Sequence, residues 1–169
     1  MKVVRLYSFG DLRVEEEPVP EVSDGEILLK TKACGVCTGE VMPWYIEKKA
    51  PLVIGHEPAG VVVQCGKGVK GFKEGDRVFV HHHGPCMGCR FCQRGDYVQC
   101  PQWKQKGIYP GGLSEYIRVT EHSLRDTLKL PDSVSYDEAT LVEPVACVVK
   151  ALRRAGIKRG DTVLVIGLG

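Results

Sequence analysis

The sequence has 169 residues, with 23 Lys and Arg against 21 Asp and Glu, so its formal net charge at pH 7 is +2. This balance excludes an electrostatic basis for binding nucleic acid or an acidic membrane surface. No apolar run approaches the roughly 20 residues that a membrane span requires, and the N-terminus is too short and too interrupted for a signal peptide.

The location that these features predict is the cytosol. There the eight cysteines are expected to be thiols or metal ligands rather than disulfides. The 20 glycines and 10 prolines predict many turns, as in an all-β domain. The length allows one domain with a real core and the start of another.

The first part of the chain is predicted to form strands. Residues 3–7 and 11–16 have the pattern of a hairpin, and a Ser-Asp-Gly turn follows at residues 23–25. In residues 26–33, apolar or small side chains alternate with lysines, so one face of this strand should be buried. The strand runs directly into Cys34-Gly-Val-Cys37, which places Cys37 where a strand ends.

Further strands are predicted in the middle of the chain. Residues 60–64 are apolar and β-branched and should form a buried strand, and residues 77–81 and 113–119 should form two more. Residues 40–49 are expected to form a helical turn or a loop. The fold class that follows is mainly β.

A helix is predicted to open at Ser135, because Glu138 lies three residues further on and completes a capping box. The helical pattern continues to about residue 154. Pro144 lies within it and is expected to interrupt or kink it.

The last residues have the pattern of a different domain. Residues 162–166 are a fully apolar strand, and Gly167-Leu-Gly169 follows, as at the opening of a dinucleotide-binding unit. One apolar strand without a partner is a poor end for a domain. We therefore expect the sequence to be the N-terminal part of a longer protein.

Between these regions, residues 84–101 are rich in cysteine and poor in apolar side chains. Their spacing, C-x2-C-x2-C-x7-C, suits a tetrahedral zinc site that four thiolates close, and such a site is structural because no position is left for substrate. The alternatives are four unrelated cysteines in a loop or an iron–sulfur cluster. The predicted ligands are Cys86, Cys89, Cys92 and Cys100.

A second, partly open zinc site is predicted from Cys37, His56 and Glu57. A thiolate and an imidazole hold such a metal, and a nearby acid ligates it or orients the histidine. A further ligand is expected from Glu143 or Cys147, which lie one helical turn apart on one face.

Other residues near this site have competing interpretations. Cys34 and Cys65 are interpreted as small buried residues, although Cys34 with Cys37 has the spacing of a redox pair. The three histidines at residues 81–83 are interpreted as a polar strand end, with the alternative that one faces a substrate pocket. Trp44 and Tyr45 belong either to that pocket or to the core.

Taken together, these motifs resemble the zinc-dependent medium-chain alcohol dehydrogenases, the family that includes sorbitol and threonine dehydrogenases. The resemblance runs through nearly the whole chain. It rests on Cys-Gly-Val-Cys (34–37), Gly-His-Glu-Pro-Ala-Gly (55–60), Gly-Asp-Arg-Val (75–78), the four-cysteine segment, Gly-Gly-Leu-Ser-Glu-Tyr (111–116), Glu-Pro-Val-Ala-Cys (143–147) and Val-Ile-Gly-Leu-Gly (165–169).

The resemblance implies a GroES-like, partly open β-barrel over residues 1–150, with the structural zinc lobe at residues 86–100. A linking helix would follow, and residues 151–169 would carry the first strand of an incomplete Rossmann α/β domain. Gly167 and Gly169 would then contact the nucleotide cofactor.

The resemblance also implies roles for the site residues. Cys37 and His56 would ligate the catalytic zinc, Glu57 would be an adjacent or exchanging ligand, and Glu143 or Cys147 would be the remaining one. Glu40 would orient the histidine.

Two positions depart from the family pattern. Gly39 stands where most members have the Ser or Thr that relays the alcohol proton, and Met42 stands where a histidine often ends that relay. Proton release is therefore expected to use Thr38, water or an imidazole of residues 81–83.

The expected function is oxidation of an alcohol or polyol by an NAD- or NADP-dependent enzyme, with one catalytic and one structural zinc, in a full-length homo-oligomer. No nucleic acid or membrane partner is expected, and the 169 residues alone should bind zinc without completing a turnover. The alternatives are a zinc-stabilised binding module and a zinc lyase or hydratase.

Overall fold

The structure of the protein, a computed structural model, describes residues 1–167. Within these residues two antiparallel sheets dominate. Their strands are β1 (Lys2–Ser8), β2 (Asp11–Glu16), β3 (Ile27–Gly35), β4 (Leu52–Val53), β5 (Glu57–Cys65), β6 (Arg77–Phe79), β7 (Ile108–Tyr109), β8 (Tyr116–Val119) and β9 (Leu128–Lys129).

Helices are short, except for the last one. No helix in the described part of the chain is both long enough and apolar enough to cross a membrane. The α-helices are α1 (Pro43–Ile46), α2 (Arg90–Gln93), α3 (Glu121–Leu124), α4 (Tyr136–Ala139) and α5 (Val142–Ala155).

The larger sheet has the strand order β7-β8-β3-β5-β6-β9, and the smaller has the order β2-β1-β4. At the centre of the larger sheet, Leu29 of β3 pairs with Val62 of β5 on one side and with Ile117 of β8 on the other. All three side chains are buried in the main hydrophobic cluster. The predicted mainly β fold and the predicted hairpin of β1 with β2 are confirmed.

The alternation predicted for β3 is confirmed with one exception. Ile27 and Leu29 are fully buried and the two lysines are exposed, but Leu28 is buried as well. The register of β3 shifts between Leu28 and Leu29, which is the mark of a bulge.

The pairing of β3 with β5 positions the site residues. Cys34 pairs with Pro58, and Gly35 pairs with Glu57, at the end of β3 and the beginning of β5. The next residues along the two segments, Cys37 and His56, are thereby brought to one end of the sheet. A Cβ on Gly35 would overlap the Glu57 carboxylate, so a larger residue there would displace that side chain.

The helical pattern predicted from Ser135 forms as two helices, so the predicted interruption is present, although it does not fall at Pro144. The capping box is present: the Ser135 hydroxyl accepts from the Glu138 N–H at 3.1 Å, and Glu138 accepts from the Ser135 N–H at 2.8 Å. The break falls between α4 and α5, before Pro144. Pro144 lies in the first turn of α5, where its missing N–H removes no helical hydrogen bond and therefore causes no kink.

The strand predicted at residues 162–166 is not formed. These residues are exposed, with Leu164 at 83% and Ile166 at 87% accessibility, and no strand pairs with them in the described chain. A single segment without a partner cannot satisfy a ladder of backbone hydrogen bonds. Gly167 is described and has a positive φ of 82°, whereas Gly169 lies outside the described residues.

Candidate functional site

Four cysteines converge between β6 and β7 and enclose a space for one ion. The Cys86 and Cys92 sulfurs lie 3.9 Å apart, and those of Cys89 and Cys92 lie 3.6 Å apart. Thiolates at about 2.3 Å from a tetrahedral zinc lie about 3.8 Å from one another. The spacing therefore fits a single zinc, and with Cys100 the four sulfurs all lie within 4.8 Å of one another. We call residues 86–100 the cysteine lobe.

Backbone N–H groups donate to these sulfurs and stabilise the thiolate form that binds a cation. The Cys86 N–H donates to the Cys100 sulfur and the Cys89 N–H donates to the Cys86 sulfur, both at 3.3 Å. Such bonds hold the pKa values of the Cys86, Cys89 and Cys100 thiols below their usual range, whereas burial raises the pKa of Cys92 to about 12. No disulfide links any of the eight cysteines, all of which lie within residues 1–167.

A second group of potential metal ligands is formed by Cys37, His56 and Glu57, whose ligand atoms lie within 4.8 Å of one another. Cys37 caps a 3-10 turn just after β3, His56 immediately precedes β5, and Glu57 is the first residue of β5. A sulfur, an imidazole nitrogen and a carboxylate make a set that zinc accepts in catalytic sites. We call these three residues the ligand triad.

Glu40 fixes the orientation of His56. Its carboxylate accepts the Gly55 N–H at 2.6 Å, lies 3.2 Å from Nδ1 of His56, and accepts the Cys37 N–H at 3.2 Å. With Nδ1 occupied, Nε2 is directed towards Glu57 and lies 3.9 Å from its Oε1. A carboxylate behind an imidazole in this way is the usual support of a metal-bound histidine, so the triad fits a bound zinc.

The electrostatics of the triad follow from burial and from neighbouring carboxylates. Burial lowers the pKa of His56, but the Glu40 hydrogen bond and the charges of Glu40 and Glu143 raise it by more, so it lies above its usual value. Burial, together with the charges of Glu143 and Glu40, raises the pKa of Glu57. Burial also raises the pKa of Cys37. A divalent cation would relieve this excess of negative charge.

Glu143 and Cys147 lie on one face of α5, and the Cys147 thiol donates to the Glu143 carboxylate at 3.2 Å. They are not among the residues that cluster within 4.8 Å, although the Glu143 charge reaches the triad. Burial and this hydrogen bond raise the pKa of Cys147 to about 11. The choice between Glu143 and Cys147 as a further ligand stays a prediction.

The remaining cysteines are partly buried rather than fully buried. Cys34 packs against Gly55 and Gly112, and burial raises its pKa to about 12, which disfavours the thiolate that a redox pair needs. Gly55 has a φ of +93°, and a Cβ there would lie 2.5 Å from the Leu113 nitrogen. Cys65 packs against the main hydrophobic cluster.

The interpretation of residues 81–83 as a polar strand end is wrong for two of them. His82 and His83 line a cavity of about 300 Å³ together with His56. The His82 ring lies 4.8 Å from the His56 ring and 3.8 Å from the His83 ring. Burial and the other histidines hold the pKa of His82 at about 2. Strand β6 ends at Phe79 rather than at residue 81, so the histidines follow the strand instead of alternating on it.

His81 faces a second cavity of about 270 Å³, which Trp103, Glu143 and Cys147 also line. Its Nδ1 lies 2.6 Å from the Asp126 carboxylate, a contact that no pattern in the sequence indicates because 45 positions separate the two residues.

Of the other predicted site residues, one lines the cavity at His56 and two do not. Tyr45 lines the cavity at His56, whereas Trp44 is exposed. Thr38 is exposed and is not among the residues that line either cavity, which leaves its predicted role in proton release untested. Sequence reasoning missed Lys49, Lys104 and Lys106 as residues of the first cavity.

Comparison with known proteins shows which protein family this sequence matches. The model of the alcohol dehydrogenase GroES-like domain matches residues 23–132. A sorbitol dehydrogenase of Bombyx mori is 36% identical over 174 residues, which cover 97% of this chain and 49% of that protein. The chain thus spans about half the length of the curated relatives it matches.

Two solved structures share the fold. The 2R,3R-butanediol dehydrogenase from Bacillus subtilis is 32% identical with a TM-score of 0.77, and the match covers 95% of this chain and 49% of that chain. An Escherichia coli protein, described as a short chain alcohol dehydrogenase complexed with NADH, is 29% identical with a TM-score of 0.81, over 96% of this chain and 48% of that one.

Proposed function

The chain belongs to the alcohol dehydrogenase GroES-like domain family, and from this premise we propose that it is the zinc-binding catalytic part of an NAD- or NADP-dependent oxidoreductase. The reaction is the interconversion of an alcohol or polyol and its carbonyl compound. The observation that carries this proposal is the ligand triad, Cys37, His56 and Glu57, with Glu40 behind the histidine.

The residues proposed to hold the catalytic metal are the triad, with Glu143 or Cys147 completing or exchanging a position. Zinc bound there supplies a Lewis acid for the substrate hydroxyl, and the nicotinamide supplies the hydride acceptor. The protein itself holds the imidazole: Glu40 keeps Nδ1 of His56 occupied and so leaves Nε2 for the metal.

The substrate is proposed to enter the cavity that His56, His82 and His83 line. We propose that the proton leaves through water in this cavity rather than by Thr38, because Thr38 is exposed and lines neither cavity. Gly39 and Met42 offer no side-chain hydroxyl or imidazole for a relay, and a pKa of about 2 keeps the His82 imidazole neutral.

The cysteine lobe is proposed to bind a second, structural zinc through Cys86, Cys89, Cys92 and Cys100, because its sulfur spacing leaves no open position. The cofactor is proposed to be bound by a Rossmann domain that begins at residues 151–169 with Gly167 and Gly169. A homo-oligomer in the cytosol is the proposed setting, to which the free cysteines are suited.

The metal content of purified protein tests this proposal. We expect about two zinc ions per chain, with Cys37→Ala losing one and Cys89→Ala losing the other. Glu143→Gln and Cys147→Ala, measured beside them, identify which of the two residues takes part. The matched control is Cys65→Ala, because Cys65 belongs to neither group of ligands.

One zinc per chain, with no effect of Cys37→Ala, would instead support a zinc-stabilised binding module. Turnover without a nicotinamide cofactor would support a lyase or hydratase.

A further inference from the structure

The cavity beside His56 carries a positive charge that the proposed chemistry does not use. Lys49, Lys104 and Lys106 line it together with His56. Within residues 1–167, Glu40 is the only carboxylate that lines this cavity. Three lysines and one carboxylate give this opening of about 300 Å³ a local excess of positive charge, whereas the net charge of the whole chain is +2.

Glu40 does not neutralise these lysines. Its side chain is only 6% exposed, and its oxygens are occupied by His56 Nδ1 and by the backbone N–H groups of Gly55 and Cys37. Within residues 1–167, none of the ion pairs includes Lys49, Lys104 or Lys106. Their ammonium groups therefore remain available to an anion.

Lys49 is held at the cavity wall rather than extended into water. Its Nζ donates to the Tyr45 hydroxyl at 2.6 Å and lies 3.8 Å from the centre of the Tyr45 ring. An ammonium group has three donors, so two remain for a ligand. Lys104 and Lys106 are exposed and reach the opening from the loop before β7.

The size of the cavity suits a small ligand, since it lies at the lower end of the range for pockets that bind small molecules. A phosphate monoester carries a charge between about −1.5 and −2 near pH 7, and a carboxylate carries only one. Three ammonium groups match the phosphate better, because charge-assisted bonds to several oxygens form together.

We propose that this cavity receives the phosphate group of the substrate, and that the substrate is therefore a phosphorylated alcohol or polyol. The inference rests on the function proposed above, because it places the phosphate in the same cavity that His56 lines. Lys49, Lys104 and Lys106 bind the phosphate and so set the distance between it and the reacting hydroxyl.

The test is direct binding to the zinc-loaded 169-residue chain, measured by titration calorimetry at low ionic strength. The probes are glucitol, glucitol 6-phosphate and gluconate. We expect the phosphate to bind at least about tenfold more tightly than glucitol, because each charge-assisted hydrogen bond is worth about tenfold or more. Added salt should weaken the binding of the phosphate but not that of glucitol.

The variant Lys104→Gln/Lys106→Gln should lose at least about tenfold in affinity for the phosphate. Its matched control, Lys67→Gln/Lys70→Gln, removes the same charge from two exposed lysines that do not line this cavity, and should bind as the unchanged chain does. Circular dichroism of both variants checks that the fold is retained, as expected for exposed side chains.

Equal affinity for glucitol and its phosphate, or an equal loss in both lysine variants, would overturn the inference. Tighter binding of gluconate than of the phosphate would overturn the assignment to phosphate. Zinc content, measured on the same samples, separates the two proposals. If the chain binds two zinc ions but binds glucitol 6-phosphate no more tightly than glucitol, only this inference is refuted. A preference for the phosphate in a chain that binds one zinc refutes the function proposed above and the substrate assignment, and leaves only the phosphate site.

Discussion

Among single residues, Glu40 links the two segments that carry the ligand triad. Its carboxylate contacts the imidazole of His56 and two backbone N–H groups, and these bonds hold its pKa below the usual value despite burial. It does not belong to the ligand triad, so its influence on a metal runs through the position and basicity of His56.

We predict that Glu40→Gln weakens zinc binding at the ligand triad by about 10- to 100-fold, because the neutral amide polarises His56 less and holds it less firmly. Competition with a chromogenic chelator measures this affinity. The lobe zinc is an internal reference, and Glu47→Gln is the matched control, because Glu47 is an exposed acid in the next turn. Unchanged affinity in Glu40→Gln would show that His56 is oriented by other contacts.

Among the structural elements, the cysteine lobe differs from the sheets in what holds it together. Its buried side chains with apolar character are Cys92 and Cys100, whereas the main cluster draws on β3, β5, β6 and β8. Helix α2 has four residues, a 3-10 helix at Tyr97–Gln99 has three, and the rest of the lobe is irregular. We therefore expect the order of the lobe, unlike that of the sheets, to depend on a bound metal.

We predict that Cys89→Ser loosens the lobe without opening the barrel, since the binding free energy of a structural zinc is also folding free energy for the segment that holds it. Backbone hydrogen exchange should become at least about tenfold faster over residues 86–100 and stay unchanged in β3 and β8. Gln99→Ser, an exposed lobe residue that is not a predicted ligand, should leave both regions unchanged. Faster exchange throughout the sheets would contradict this separation.

For the molecule as a whole, the distinctive feature is an apolar surface on α5. Val145, Val148, Val149 and Leu152 recur at helical spacing, are all exposed, and belong to a helix without buried residues. Residues 163–166 are also apolar and exposed. A contiguous apolar patch differs from scattered exposed side chains because it promotes association.

We predict that the 169-residue chain self-associates through α5 as its concentration rises, because association removes this apolar face from water. Sedimentation velocity over a concentration series measures this. Val148→Lys/Leu152→Lys should shift the equilibrium towards monomer. The control, Leu12→Lys/Val14→Lys on β2, also replaces two exposed apolar residues and should not. A monomer at every concentration, or an equal effect of both pairs, would contradict the prediction.

The sequence by itself determined the features whose cause is local. The two-residue spacers of the lobe place Cys86, Cys89 and Cys92 close together in any compact chain, and the lobe geometry agrees with the predicted zinc site. The alternation in β3 indicated its buried face, and the Ser135–Glu138 spacing predicted the capping box. The alternation of side chains along a strand and a hydrogen bond between near neighbours each depend on only a few consecutive residues, so both can be predicted from the sequence.

Only the tertiary structure decided the contacts that depend on register and on packing between distant segments. It brought His82 to His56 and gathered the lysines of residues 49, 104 and 106 at one opening, although no local pattern links them. It also broke the predicted helix before Pro144 and left residues 162–166 unpaired. A strand requires a partner and a cavity requires several walls, and these are supplied by residues far along the chain.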